Sequence, residues 1–358
     1  MAAMKMSIWI RGARLKTLPL AIAPVVIGAA LSWRGVFYSQ DGVMLRESCP
    51  FFGSQHDLGE MQHGSLVGAC QTSPAWFVLV AVLCGCVALF LQVAANFAND
   101  YSDGVRGTDE GRDIGGELEH SSVGTLLIRD ASHGPARLVA SGVNPKKVLA
   151  AAGVNALIAC LCGLAVCALT GCWWFILLGL ACLLAGWCYV GGKHPYGYHY
   201  LGEVFVFVFF GLVAACGTMF ALTGTVSGSG IWGGCAVGCV AVAVLCVNNL
   251  RDVESDRKHG KHTWMSALGR SKGTVFAIVL MVVSAIMTIR YCVAVLRNAE
   301  LSNVLTVGTA LASVAMLFVV CIAAIVAIAR KKYKTALPLC SLSSLVLAAV
   351  FAISSILS

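Results

Sequence analysis

Residues 96–113 read NFANDYSDGVRGTDEGRD, and they follow directly on residues 75–95, AWFVLVAVLCGCVALFLQVAA. An apolar run of that length predicts a helix across a bilayer, which takes roughly 20 residues. If the helix continues into the acidic stretch, Gln92, Asn96, Asp100 and Asp103 follow one another at steps of four, four and three, and so share one face. An ionised side chain at the bilayer centre costs at least roughly 2.5–3.5 kcal/mol. Such a face therefore looks into a cavity or at other polar groups, and not at lipid.

The rest of the chain is of the same kind. Of its 358 residues 58% are hydrophobic and only 12% charged, with a mean hydropathy of +0.83. Soluble globular chains carry about 25% charge. Nine stretches are long and apolar enough to span a bilayer: 17–33, 76–98, 148–170, 173–190, 202–225, 231–249, 274–294, 302–328 and 336–357. They lie too close together for a soluble domain to fit between them. The expected fold is all-α, one polytopic domain over residues 1–358, with nine transmembrane helices.

Lys and Arg concentrate in cytoplasmic loops. With a cytoplasmic N-terminus and nine alternating spans, 21 of the 25 basic residues fall inside and four outside. The net charge of +8 thus reads as membrane topology, and no nucleic-acid partner is inferred from it. The first span also has the basic start, apolar core and small residues (VIGAALS, 26–32) of a secretory signal. Its removal would leave eight spans and set the later loops against the charge count. Residues 34–75 form the one long outer loop, polar and broken by Gly and Pro, either a lid or a tolerated insertion. Most of the 17 cysteines lie within spans as small apolar residues, while Cys49 and Cys70 share the outer loop and are placed for a disulfide if that side is oxidising.

The long inner segments, 99–147 and 250–273, hold 11 of the 17 acidic residues. They also contain a faint repeat. Asn96-x-x-x-Asp100-x-x-Asp103 ends the second span, and Asn248-x-x-x-Asp252-x-x-x-Asp256 ends the sixth. Two helices that each finish in an amide and carboxylates point to one site built from both halves. Clustered carboxylates suit a hard cation such as Mg²⁺, which takes one or two of them plus substrate phosphates. Carboxylate against phosphate alone would repel, by about 4 kcal/mol per charge pair at 4 Å and an effective dielectric of 20. A bridging metal removes that conflict. Arg106, Arg112, Arg251, Arg257 and Lys258 lie in the same loops and are placed to grip remaining phosphate oxygens. The plainer reading is a solvated cytoplasmic loop; one motif alone would favour it, and two matched motifs do not. Glu203, in LGEVFVFVFFG, is explained equally by the dipole at a helix start or by a place in the site.

The stretches RLKTLPLAIAPVVIGAAL (14–31), LQVAANFANDYSDGVRGTDE (91–110), GPARLVASG (134–142), YVGGKHPYGYHYLGEVFVFVFFGLVAACGT (189–218) and NNLRDVESDRKHGKHT (248–263) resemble the UbiA superfamily of intramembrane prenyltransferases. Within it they are most similar to the menaquinone-pathway branch acting on 1,4-dihydroxy-2-naphthoate. The resemblance implies a helix bundle around a central cavity in the inner or plasma membrane, and transfer of a polyprenyl group from its diphosphate to that aromatic acceptor. Loss of CO₂ would then give demethylmenaquinone. It implies Mg²⁺ at Asp100, Asp103, Asp252 and Asp256, with Asn96 and Asn248 completing or orienting the shell and Asn99 and Asp109 beside it. Lys193, Arg137 and Arg251 are implied phosphate contacts. Arg14, Lys16 and Thr17 near the inner mouth are candidates for the acceptor carboxylate, and Glu203 for a further substrate contact. The first motif departs from the superfamily's NDxxDxxxD spacing, since Gly107 stands four residues after Asp103 and the third acid is Asp109. This chain shares that shift with the naphthoate branch. The 34–75 loop is longer than the resemblance implies. Other acceptors (4-hydroxybenzoate, homogentisate, haem) and, in a different class, a cation transporter remain as alternatives; a transporter would place its acids near mid-span.

Overall fold

A computed structural model describes residues 2–37, 73–105, 138–192, 195–258, 260–298 and 304–357. Arg106, Asp109, Arg112, Arg137, Lys193, most of the 34–75 loop and the Cys49–Cys70 pair lie outside the described residues.

Among the described residues eleven α-helices follow in order: α1 (Ala2–Ala13), α2 (Pro19–Phe37), α3 (Pro74–Val105), α4 (Pro145–Thr170), α5 (Phe175–Val190), α6 (Gly202–Thr223), α7 (Gly228–Arg251), α8 (Val253–Lys258), α9 (Trp264–Asn298), α10 (Val304–Ala329) and α11 (Tyr333–Leu357). Their ends follow from local chemistry. Asn144 caps α4 by accepting from the Lys146 N–H at 2.9 Å, with Pro145 at the first helical position, and Gly171 ends it at φ 71°. Ser227 caps α7 through the Gly230 N–H at 3.2 Å.

Seven of these helices are long and apolar enough to cross a membrane, and α1 with α2, bent by 46° at their junction, would make an eighth. The protein is thus an integral multi-pass membrane protein. The span expected at 173–190 is the shorter helix α5, 16 residues and so about 24 Å long, less than the roughly 30 Å hydrocarbon core. The loops are also smaller than their sequence implies. Helix α3 runs on through Asp100 and Asp103 to Val105, and the segment 250–273 holds α8 and the first turns of α9.

Helix α7 is the centre of the bundle, buried along most of its length. Its small residues make that burial feasible, because apolar helices in lipid associate through close packing. A π-helical segment, Val208–Val213, widens α6 where it meets α7, and a Cβ on Gly211 would lie 2.7 Å from the Gly234 carbonyl oxygen. The outward faces of α4, α5 and α10 expose Leu, Ile and Val to the lipid.

Candidate active site

Helix α3 carries the first motif as its spacing predicts. Gln92, Asn96 and Asp100 are buried on one face, at 8%, 5% and 1% exposure. They meet the link between α1 and α2. Arg14 places a guanidinium nitrogen 2.6 Å from Asp100 Oδ1, and the Leu138 N–H donates to the other Asp100 oxygen at 3.3 Å. The Asn96 amide donates to the Ala13 carbonyl at 2.9 Å, and the Gln92 amide to Thr17 Oγ at 3.5 Å. Arg14 takes a left-handed backbone (φ 54°) to turn the chain there. Asp103, one turn on, accepts from the Tyr198 hydroxyl at 3.1 Å.

The second motif is built differently. Helix α7 stops at Arg251, Asp252 (φ −99°, ψ 9°) breaks it, and Asp256 lies on the short helix α8. The steps of four survive the break, since the Asp252 N–H still reaches the Asn248 carbonyl at 3.3 Å and the Asp256 N–H the Asp252 carbonyl at 2.8 Å. Arg251 folds back with both fork nitrogens on Asp252, at 2.7 and 2.9 Å, and donates to Asn248 Oδ1 at 2.8 Å. Lys261 lies 3.3 Å from Asp256 Oδ2. Arg257, expected to grip phosphate, donates instead to the Ser266 carbonyl at 2.6 Å, where Gly269 interrupts α9, and Lys258 is exposed.

The two motifs are joined by a contact the sequence analysis did not single out. The link 195–201 pairs with the link after α8, the Tyr200 N–H bonding the His262 carbonyl and the His262 N–H the Tyr198 carbonyl, each at 3.0 Å. This sets the Lys261 ammonium 5.8 Å from the centre of the Tyr198 ring. Asp103, Tyr198, Lys261 and Asp256 therefore form a continuous chain from one motif to the other. Tyrosines at 196 and 198 in a short Gly-containing link were the available signal.

A cavity of about 1540 Å³ opens between the motifs. Arg14, Lys16 and Thr17 line it from the α1–α2 link, and Gln92, Asn96, Asn99 and Asp100 from α3. Asn248 and Arg251 line it from α7, and Lys334 from α11. Much of the remaining wall is apolar, with an aromatic row of Tyr189, Tyr196, Phe205 and Phe209; Tyr196 and Phe205 have ring centres 4.1 Å apart. Burial pushes the Tyr196 phenol up, so it remains the neutral donor that holds the Ala185 carbonyl at 2.8 Å. Asp103, Asp252 and Asp256 stand behind this lining, held by the partners named above. Glu203 does not line the cavity: it is 3% exposed and accepts from Asn249, a buried α7 residue, at 3.4 Å.

Among the described residues no three Asp, Glu, His or Cys side chains converge as a metal cluster. The donor chemistry nevertheless fits Mg²⁺, being carboxylates and carboxamide oxygens. Asp100, Asp252 and Asp256 are at most 7% exposed, and carboxylates so buried require positive charge beside them. In this structure Arg14, Arg251 and Lys261 supply it.

The model of the UbiA prenyltransferase family matches residues 64–336, which includes both motifs and most of the cavity wall. This chain belongs to the UbiA prenyltransferase family. Its UbiA relatives include proteins named 1,4-dihydroxy-2-naphthoate octaprenyltransferase. That of Mycobacterium leprae is 34% identical over 80% of this chain and 78% of its own length. That of Haemophilus influenzae is 32% identical over 81% and 78%. That of Escherichia coli is 32% identical over 73% and 68%. The fold is shared with the apo structure of a UbiA homologue from Aeropyrum pernix, at a TM-score of 0.57 and 15% identity, over 93% of this chain and 96% of the other.

Proposed function

We propose that this UbiA prenyltransferase transfers a polyprenyl group from its diphosphate to 1,4-dihydroxy-2-naphthoate, in a reaction that needs Mg²⁺. The observation that carries the reading is the cavity itself, which joins cations and amides from both motifs to a largely apolar chamber with an aromatic row. The names of the relatives supply the acceptor. A transporter is not supported by family membership.

The diphosphate head belongs at the motif end, where Arg251 faces the cavity and Arg137 and Lys193 are further candidates for its oxygens. Asp100, Asp103, Asp252 and Asp256 would hold Mg²⁺, with Asn96 and Asn248 orienting them. The ion's contribution is to offset charge on the departing diphosphate. The isoprenoid tail lies in the apolar chamber, where each buried CH₂ adds about 0.8 kcal/mol. As the allylic C–O bond breaks, the aromatic row faces the developing carbocation, favours it through ring electrons and excludes water that would quench it. The acceptor's C2, which bears the carboxylate, forms the new C–C bond. Loss of CO₂ restores the aromatic ring, so the product leaves as the quinol of demethylmenaquinone.

The same reading sets nine crossings with α5 as the short one, a cytoplasmic N-terminus and a place in the inner or plasma membrane. The split of 21 basic residues to four supports that orientation. The experiment is an acceptor panel: purified protein with one labelled polyprenyl diphosphate and, separately, 1,4-dihydroxy-2-naphthoate, 4-hydroxybenzoate, homogentisate and haem. Prenylation of the naphthoate with CO₂ release is expected. Preference for another acceptor would overturn the assignment.

A further inference from the structure

Among the described residues five cations line the cavity, Arg11, Arg14, Lys16, Arg251 and Lys334, against a single carboxylate, Asp100. Two of the five are engaged. Arg14 holds Asp100, and Arg251 holds Asp252 and Asn248. Arg11, Lys16 and Lys334 are exposed and have no acidic partner among the described residues. The cavity thus carries more positive charge than its own acids balance.

Lys334 stands where a cation is disfavoured. It lies in the first turn of α11, against the helix dipole, and that turn contains no acid to offset it. Helix α11 packs on α2 and on the Leu15–Thr17 link, so Lys334 and Lys16 belong to adjoining elements. Like charges placed so repel, and a bound anion relieves the repulsion. The proposed reaction brings two anionic groups to the cavity. The diphosphate belongs with the metal and Arg251 at the ends of α3 and α7. The acceptor carboxylate needs a cation of its own. Resting on the function proposed above, we infer that Lys334 binds the carboxylate of the aromatic acceptor, with Lys16 beside it, and makes this site selective for a carboxylated ring. An ammonium on a flexible four-carbon stem suits a small acceptor arriving from the aqueous side. The product, having lost CO₂, no longer carries the group that Lys334 holds.

The test compares 1,4-dihydroxy-2-naphthoate with 1,4-dihydroxynaphthalene, which lacks only the carboxylate, as ligands of wild type, Lys334→Gln and Lys334→Arg. For wild type the Ki of the diol should exceed the KM of the naphthoate by about tenfold or more, the usual worth of a charge-assisted hydrogen bond. In Lys334→Gln the naphthoate KM should rise about tenfold, while the diol Ki and the KM for polyprenyl diphosphate stay within about twofold. Lys334→Arg, which keeps the charge, should recover most of the loss. A merely structural role would move all three constants together, and a rise in the diphosphate KM alone would assign Lys334 to the donor; either result overturns the inference. Acylation of wild-type Lys334 by an amine reagent, read by mass spectrometry, holds the test to this residue even if a variant did not fold. The naphthoate should protect Lys334 and the diol should not; absence of protection at saturating naphthoate would refute the contact. Failure of wild type to prenylate the naphthoate at all would instead sink the acceptor assignment, and this inference with it.

Discussion

The Arg14 guanidinium lies 2.6 Å from the Asp100 carboxylate, across 86 residues of sequence, and both side chains belong to residues that line the cavity. A carboxylate 1% exposed is thereby neutralised by a residue that also lines the cavity. The pair sits where the proposed metal and diphosphate would compete for the same charges, which makes both partners informative to alter.

Asp100→Asn keeps the shape of the side chain and removes its charge. Turnover is expected to disappear while the protein still inserts and elutes as a monodisperse species. Asp252→Asn should do the same. Near-normal prenylation by either purified variant would contradict the proposed roles of the two motifs.

Chelation supplies the complementary measurement. Addition of EDTA to wild type should abolish turnover, and Mg²⁺ should restore it, without loss of helical signal in circular dichroism. Full activity in excess chelator would remove the metal from the mechanism.

Arg14 separates backbone from charge. A left-handed conformation costs a non-glycine residue roughly 1–2 kcal/mol, which glycine avoids. Arg14→Gly should therefore melt at a higher temperature in detergent than Arg14→Ala, although both lose the Asp100 ion pair and most activity. Identical melting would show that the turn at 14 carries no such strain.

Tyr198→Phe removes one hydroxyl and with it the 3.1 Å bond to Asp103. Groups that orient metal-binding carboxylates typically account for about 10–100-fold in metal affinity. The concentration of Mg²⁺ for half-maximal turnover should rise by about that factor, with the acceptor KM little changed. An unaltered Mg²⁺ dependence would exclude Tyr198 from the site.

Two glycines test the packing at the centre of the bundle. A Cβ on Gly211 would stand 2.7 Å from one backbone atom of α7 and 2.8 Å from another, whereas one on Gly217 meets nothing within 4 Å. Gly211→Ala should destabilise by about 1–3 kcal/mol, and Gly217→Ala should be near neutral, by thermal denaturation in detergent. Equal melting of the two would mean that α6 and α7 can separate without cost.

Hydropathy and helical spacing are local properties, and what rests on them was readable in advance. The long spans appear where composition places them, and Gln92, Asn96 and Asp100 share a buried face because residues four apart on a helix stack. Membership of a bundle, and the concentration of acids at the ends of the second and sixth spans, follow from the same patterns. Contacts between distant segments leave no such trace. Arg14 on Asp100, Tyr198 on Asp103 and Lys261 between Tyr198 and Asp256 depend on how helices cross and how two short links pair, and sequence separation carries no record of either. The same holds for helix rotation, which turns Glu203 towards Asn249 and away from the cavity, and for the break at Asp252 that divides the second motif between two helices. Periodicity places a residue on a face; only packing decides what that face meets.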